Sequence, residues 1–277
     1  MPREATDATT VTVQGTAVPK LGFGTWLVEG QDAYDGVRDA LALGYRHVDT
    51  ARAYGNEREV GQAIADSGVP REQIWLTTKV PHDQATPDEV ERGFAQQLAD
   101  LQVDHVDLLL LHWPAAPPLA DTLGAMDALR AQGLATHIGV SNFPSELLRQ
   151  AIELAPIFAN QVEYHPYLPQ GPVMHLCLEH DVLLTAYSPF AHGHVHEDAM
   201  LAEIGAAHGK SAGQIALRWL LDQPNVAAIP KASSHERRAQ NLDVFDFALT
   251  DEERGRVAAL SEQHLRTADP PWAPAWD

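Results

Sequence analysis

Eight times along this chain, a short β-rich apolar run gives way to an amphipathic stretch whose apolar residues recur at helical spacing. The runs cover residues 21–25, 46–49, 74–79, 106–112, 136–141, 158–163, 183–187 and 226–230. The helical stretches cover 32–43, 57–66, 87–101, 122–132, 144–154, 173–180, 200–208 with 211–221, and 234–241. Strands separated by crossover helices pair in parallel, and eight such units close most simply into a single (β/α)8 TIM barrel. Ahead of the first run, residues 11–13 and 16–18 flank Gln14-Gly15 and predict an N-terminal β-hairpin capping the barrel bottom. Residues 250–260 predict an extra C-terminal helix, with Thr250 as N-cap and Glu253 completing a capping box. No linker, low-complexity tract or internal repeat interrupts the pattern, so residues 1–277 are expected to form one domain. The competing fold is an open doubly wound sheet, whose dinucleotide fingerprint would follow the first strand. Gly22-Phe23-Gly24 begins that fingerprint, but Leu27 occupies the third glycine position. The glycine pair is better explained by a close approach of backbone.

Composition narrows the partners. Asp and Glu total 38 against 19 Lys and Arg, a formal net charge of −19 that argues against nucleic acid and anionic membranes. The lysines are only Lys20, Lys79, Lys210 and Lys231. An acidic, lysine-poor surface suits a salt-rich cytosol, and a genome rich in Arg and Asp codons accounts for it equally well. Cys177 is the single cysteine, which excludes an internal disulfide and a thiolate metal cage. No apolar run is long enough to span a bilayer, and the polar start MPREATDATT lacks the apolar core of a signal peptide. A soluble cytoplasmic protein is expected.

A TIM barrel carries its working groups at the C-terminal ends of its strands. Here those ends hold Asp49, Lys79, His112, Ser141-Asn142, Gln161, Tyr187-Ser188 and Lys231, each capping an apolar run. Singly, each has a structural explanation, since strand-end Asp residues often cap helices and strand-end His residues are commonly just hydrogen-bonded. Together they suggest a device. Lys79 at the barrel mouth needs an anionic partner, and Asp49 on the neighbouring strand can supply it. Tyr54, reaching in from the next loop, would sit beside that ammonium. A nearby cation lowers a phenol from its reference of about 10, which would make Tyr54 a proton donor usable near neutrality. His112 completes a pocket able to hydrogen-bond a carbonyl oxygen.

These residues lie in stretches that resemble, in order, the signatures of the aldo-keto reductase superfamily: GYRHVDTARAYGNE, LTTK, LLLLHWP, IGVSNF, NQVEYHPY, AYSP and IPKASSHERRAQN. The match runs from about residue 18 to 247, and the chain is most similar to short bacterial members of the 2,5-diketo-D-gluconate reductase type. The resemblance implies an NADPH-dependent carbonyl reductase with Asp49, Tyr54, Lys79 and His112 as its catalytic tetrad. Hydride would pass from nicotinamide C4 to the carbonyl carbon while Tyr54 protonates the oxygen. Ser141, Asn142 and Gln161 match the residues that hold the carboxamide, and Tyr187 the one that stacks on the nicotinamide ring. Ser188, Pro189 and Phe190 fall where the family wraps the pyrophosphate. Lys231, Ser233 and Arg237 correspond to the 2′-phosphate site, with Gln240 and Asn241 near the adenine. Trp26 and Trp113 keep the family's substrate-pocket positions.

The sequence departs from the pattern in three places. Ala232 removes a hydroxyl after the lysine, Gln240 stands where glutamate is common, and Val80-Pro81-His82 replaces an aromatic pocket wall. The loop after strand four and the tail beyond Glu262 are brief, which implies a shallow pocket for small aldehydes, α-dicarbonyls or keto-sugar acids. Trp272 or Trp276 could fold over it from the tail. His192, His194 and His196 alternate, so in an extended loop all three would point one way as a metal site requires, although no carboxylate or cysteine framework accompanies them. A solvated loop is the stronger expectation, and no metal is expected. Residues 139–143 begin like a hydrolase nucleophile elbow but lack its closing glycine. The expected state is a monomer acting on a small carbonyl compound. The alternative is a cofactor-sensing regulatory subunit of the same fold.

Overall fold

The alternation of runs and amphipathic stretches is realised as a closed ring of parallel strands. The structure, a computed structural model, describes residues 9–277, so most of the polar start read above for a leader lies outside the described residues. Strands β1 (Thr10–Val13) and β2 (Thr16–Pro19) form the antiparallel hairpin. At its turn Gln14 and Gly15 take φ of 47° and 78°, the left-handed pair that a two-residue hairpin turn requires.

The barrel strands are β3 (Phe23–Gly24), β4 (His47–Asp49), β5 (Trp75–Val80), β6 (Val106–Leu111), β7 (Ala135–Ser141), β8 (Ile157–Glu163), β9 (Leu183–Tyr187) and β10 (Val226–Ala228). They form one 8-stranded sheet in sequential order, every pair parallel. Its two edges meet around the glycine pair. Gly22 N donates to Ala228 O at 2.8 Å, Ala228 N to Lys20 O at 2.8 Å, and Gly24 N to Pro230 O at 3.2 Å. A Cβ on Gly24 would stand 2.7 Å from the carbonyl oxygen of Ile229, and one on Gly22 would stand 2.8 Å from the His47 ring. The close approach expected of these glycines is therefore the closure of the barrel itself.

The helices are α1 (Gly30–Leu43), α2 (Glu57–Asp66), α3 (Pro87–Leu101), α4 (Leu119–Ala131), α5 (Ser145–Leu154), α6 (Gly171–Glu179), α7 (His194–Glu197), α8 (Ala199–His208), α9 (Ala212–Leu221), α10 (His235–Leu242) and α11 (Asp251–Ala259). Thr250 caps α11 in a capping box with Glu253, as expected. Most boundaries differ from the sequence expectation by only a residue or two; α4 begins three residues early, and β3 is shorter because its flanks bond across the closure.

Period-two alternation divides each strand between two cores. Outward-facing residues such as Val48, Leu76, Leu109, Val140 and Leu184 are buried under the helices. Inward-facing Trp75, Leu108, Leu110 and Leu183 pack with Val13 and Val18 of the hairpin, which plugs the bottom. The same parity carries upward along the strands. Lys79 lies four residues above Trp75, and Tyr187 four above Leu183, so both face the inside near the open mouth.

Candidate active site at the barrel mouth

Three strands and one loop bring the expected tetrad together. Lys79 Nζ donates to Asp49 Oδ1 at 2.5 Å and to the carbonyl of Thr50 at 2.8 Å, and it lies 3.4 Å from the Tyr54 hydroxyl. Gln161 Nε2 donates to the other Asp49 oxygen at 2.7 Å. Tyr54 arrives on a single 3-10 turn, Arg52–Tyr54, closed by Gly55 at φ 68°. Its ring meets His112 edge-on, with centroids 5.6 Å apart.

Burial sets the protonation states. Lys79 is fully buried, which disfavours its charge, but Asp49 and Tyr54 outweigh this and raise its pKa, so it stays cationic. Tyr54 departs from the sequence expectation. Burial of its hydroxyl, with Asp49 adding to the effect, pushes the phenol above its usual value even though Lys79 pulls it down. The sequence shows the neighbouring cation but not the desolvation. Tyr54 thus keeps its proton through neutral pH. Burial, Lys79 and His82 hold His112 well below the usual imidazole value, so it is a neutral hydrogen-bonding group.

A second cluster adjoins the first. Ser141 Oγ donates to Gln161 O at 2.9 Å, and Asn142 Nδ2 donates to Ser141 Oγ and to His112 O at 3.1 and 3.0 Å. Tyr187 donates its hydroxyl to Asn142 Oδ1 at 2.7 Å. Asn142 adopts a left-handed φ of 64°, which asparagine tolerates better than most residues. Beyond Tyr187 the chain passes Ser188 at φ 48° and buried Pro189 to Phe190. Across the closure, Lys231 and Ser233 ahead of α10 and Arg237 and Gln240 within it are exposed, whereas Asn241 is buried. Among the described residues no ion pair engages Lys231 or Arg237.

The rim departs from the sequence reading at the histidines and meets it at the tail. The histidines at 192, 194 and 196 do not share a direction, because residues 191–197 wind into a 3-10 turn and the short α7. His192 stacks on Trp26 at 5.8 Å, while His196 packs on Phe190 at 4.8 Å. Trp26, 46% exposed, thus joins the loop after β9 to the loop after β3. The brief tail folds over the rim, as expected of Trp272 or Trp276. Trp276 meets Trp113 edge-on at 6.2 Å with the Arg266 guanidinium 3.8 Å from its ring centre, and Trp272 stacks on His82 at 5.4 Å.

Sequence reasoning missed the groups that anchor this tail. Glu163 accepts from Thr267 N, Thr267 Oγ1 and Ala268 N at 2.6–2.9 Å, and pairs with His165 at 2.9 Å. Burial pushes its carboxyl up, but these donors outweigh burial and hold it below the usual range. Asp277 accepts from Ser145 N and Oγ at 2.9 and 2.6 Å. A strand-end glutamate at 163 was visible in the sequence, but its partners in the tail lie 104 and 105 residues on. In the sequence Glu57 reads only as the start of a helix, and Asn56 before it carries no role. Asn56 is buried, accepting from Thr50 Oγ1 at 2.7 Å and donating to the carbonyls of Thr25 and Val28 at 3.0 and 2.8 Å.

Comparison with known proteins identifies a family. Residues 20–262 match the model of the aldo/keto reductase family. A glyoxal reductase of Bacillus subtilis is 38% identical, over 90% of this chain and 91% of its own. A methylglyoxal reductase of Salmonella typhimurium is 35% identical, over 94% and 99%. A solved structure provisionally assigned as a 2,5-diketo-D-gluconic acid reductase B superposes with a TM-score of 0.95 at 44% identity, covering 97% of both chains. With the barrel fold and these likenesses in agreement, the chain belongs to the aldo/keto reductase family.

Proposed function

We propose that the protein is an NADPH-dependent reductase of small aldehydes, α-dicarbonyls or keto-sugar acids, working as a cytoplasmic single-domain monomer. The observation that carries this reading is the chain of contacts from Asp49 through Lys79 to the Tyr54 hydroxyl, beside a neutral His112. Such a group suits a developing alkoxide. Tyr54 holds a proton at the mouth, and Lys79, kept cationic by Asp49, stabilises the phenolate left after the proton departs. His112 can donate one N–H to the carbonyl oxygen and orient it without competing as the acid.

The residues fit a nicotinamide dinucleotide phosphate. The polar cluster of Ser141, Asn142 and Gln161 beside the Tyr187 ring offers a platform for a carboxamide and an aromatic ring. Lys231 and Arg237, exposed and free of carboxylate partners among the described residues, offer cations for a 2′-phosphate. The bound cofactor supplies the hydride, and Tyr54 supplies the proton. Glyoxal and methylglyoxal reductases among the relatives support small dicarbonyls as substrates. None of the described helices is long and apolar enough to cross a membrane, in keeping with the proposed compartment.

Following NADPH absorbance with methylglyoxal tests the reading. Steady oxidation that Tyr54→Phe abolishes is the expected result. Tight NADPH binding without turnover of any compound in a carbonyl panel would leave a cofactor-sensing role instead.

A further inference from the structure

Behind Lys79, on the outer wall of the barrel, lies a buried polar triangle that the proposed chemistry does not use. Glu57, the first residue of α2, is buried, and its Oε1 accepts from Thr78 Oγ1 at 2.6 Å and from Gln97 Nε2 at 2.9 Å. The Gln97 amide, projecting from α3, also reaches Thr78 Oγ1 at 3.0 Å and the carbonyl of Lys79 at 3.1 Å. Thr78 is the neighbour of Lys79 on β5 and points to the opposite face. Glu57 stands three residues after Tyr54 on the loop that carries the phenol. The triangle therefore ties the strand bearing the ammonium to the loop bearing the hydroxyl, from the side away from the mouth.

That tie matters because the contact it spans is at its limit. The 3.4 Å between Lys79 Nζ and the Tyr54 hydroxyl exceeds the usual range for such a bond, so a small outward slip of the loop would break it. Asn56 fixes the other side of the same loop through Thr25, Val28 and Thr50, with no side-chain hydrogen bond to β5 among the described residues. Nothing in the triangle calls for the charge itself. Glu57 has no cation at ion-pair distance among the described residues, and burial raises its pKa against the pull of its two donors. A glutamine in its place would offer the same acceptor oxygen without a buried charge.

The geometry points to Glu57 as a positioning residue that holds the Tyr54 loop in register with Lys79 through Thr78 and Gln97, by hydrogen-bond acceptance rather than by charge. This rests on the reading of Tyr54 as the proton donor. Around that hydroxyl the titratable groups are Lys79, Asp49, His112 and Tyr187, and Glu57 acts on it only through the backbone it holds.

The test compares Glu57→Ala, Glu57→Gln and Thr78→Val with the wild type and with Tyr54→Phe, using NADPH and methylglyoxal. The readouts are kcat, KM, the NADPH dissociation constant from fluorescence quenching, and the alkaline limb of the kcat profile. Glu57→Ala should lose about 10- to 100-fold in kcat, the scale of a sub-ångström to ångström misplacement, with NADPH affinity and KM nearly unchanged. Its alkaline limb should move to higher pH as Lys79 loosens its hold on the phenol. Glu57→Gln should restore both kcat and the limb. Thr78→Val, which keeps the side-chain shape, should lower kcat in the same direction and decides the matter if Glu57→Ala does not fold. Wild-type kcat and pH profile in both Glu57→Ala and Thr78→Val would overturn the inference. So would a Glu57→Gln variant as damaged as Glu57→Ala, which would assign the effect to charge. An active Tyr54→Phe enzyme would instead overturn the underlying reading of Tyr54.

Discussion

Lys79 and Asp49 form an ion pair at 2.5 Å with side chains 0% and 2% exposed, inside a barrel whose inner face is otherwise largely apolar or hydroxylic. Removing one partner from such a pair leaves a buried charge unanswered, at a cost of about 3–5 kcal/mol. Lys79→Met should therefore lower unfolding free energy by that order as well as kcat. Adding Asp49→Asn should recover part of the stability and none of the activity. Urea denaturation of the two single variants and the double variant checks this, and strictly additive losses would contradict it.

The protonation pattern predicts a one-sided pH profile. Tyr54 must be protonated to donate, and its pKa lies above the ordinary phenol value, so activity is present below that pKa and lost as pH rises through it. His112 titrates well below its ordinary value and should add no limb near neutrality. The rate of carbonyl reduction should stay flat through neutrality and fall only above the range in which an ordinary phenol ionises. Tyr54→Phe should cost roughly 10²–10⁴-fold in kcat with NADPH binding preserved. A limb near pH 6.5 that disappears in a His112 variant would refute this assignment.

Lys231 is one of only four lysines, and it stands exposed beside Arg237 after β10. NADPH should bind more tightly than NADH. Lys231→Met should weaken NADPH by about 10- to 100-fold, the worth of a charged hydrogen bond, and leave NADH unchanged. Fluorescence titration of both cofactors measures this. Equal wild-type affinities would mean that Ala232, which lacks a hydroxyl, has left the phosphate too few partners.

The docked tail predicts substrate size. With Trp276 against Trp113 and Trp272 against His82, the mouth is walled by indoles yet has no long loop above it. Methylglyoxal or a nitrobenzaldehyde should show higher kcat/KM than a ketosteroid. Trp276→Ala should narrow that gap by removing part of the wall. A wild-type preference for the steroid would show that the tail encloses a deeper pocket.

The formal net charge of −19 makes a separate prediction about salt. If the acidic surface is an adaptation to a salt-rich cytosol, molar KCl should raise Tm and preserve activity by screening self-repulsion. A Tm that stays flat or falls over that range would favour codon composition as its origin.

What the sequence determined by itself is whatever follows from local periodicity. Eight alternating runs specify a parallel barrel because each strand is separated from the next by a helix that must cross over. Their places at the C-terminal ends of these strands then put Asp49, Lys79, His112 and Gln161 on one rim. The Thr250–Glu253 cap and the Gln14-Gly15 turn are equally local. Tertiary structure alone decided everything that depends on desolvation or on partners distant in sequence. The direction of the Tyr54 shift reverses the sequence expectation because burial around the hydroxyl outweighs the nearby cation. The tail is held by Glu163 and by Ser145, the latter 132 residues before Asp277, a separation no periodicity encodes. Glu57 looks in sequence like an ordinary solvated acid in a first helical turn. Only the packing of α2 and α3 on β5 removes it from water and gives its carboxylate Thr78 and Gln97 to hold.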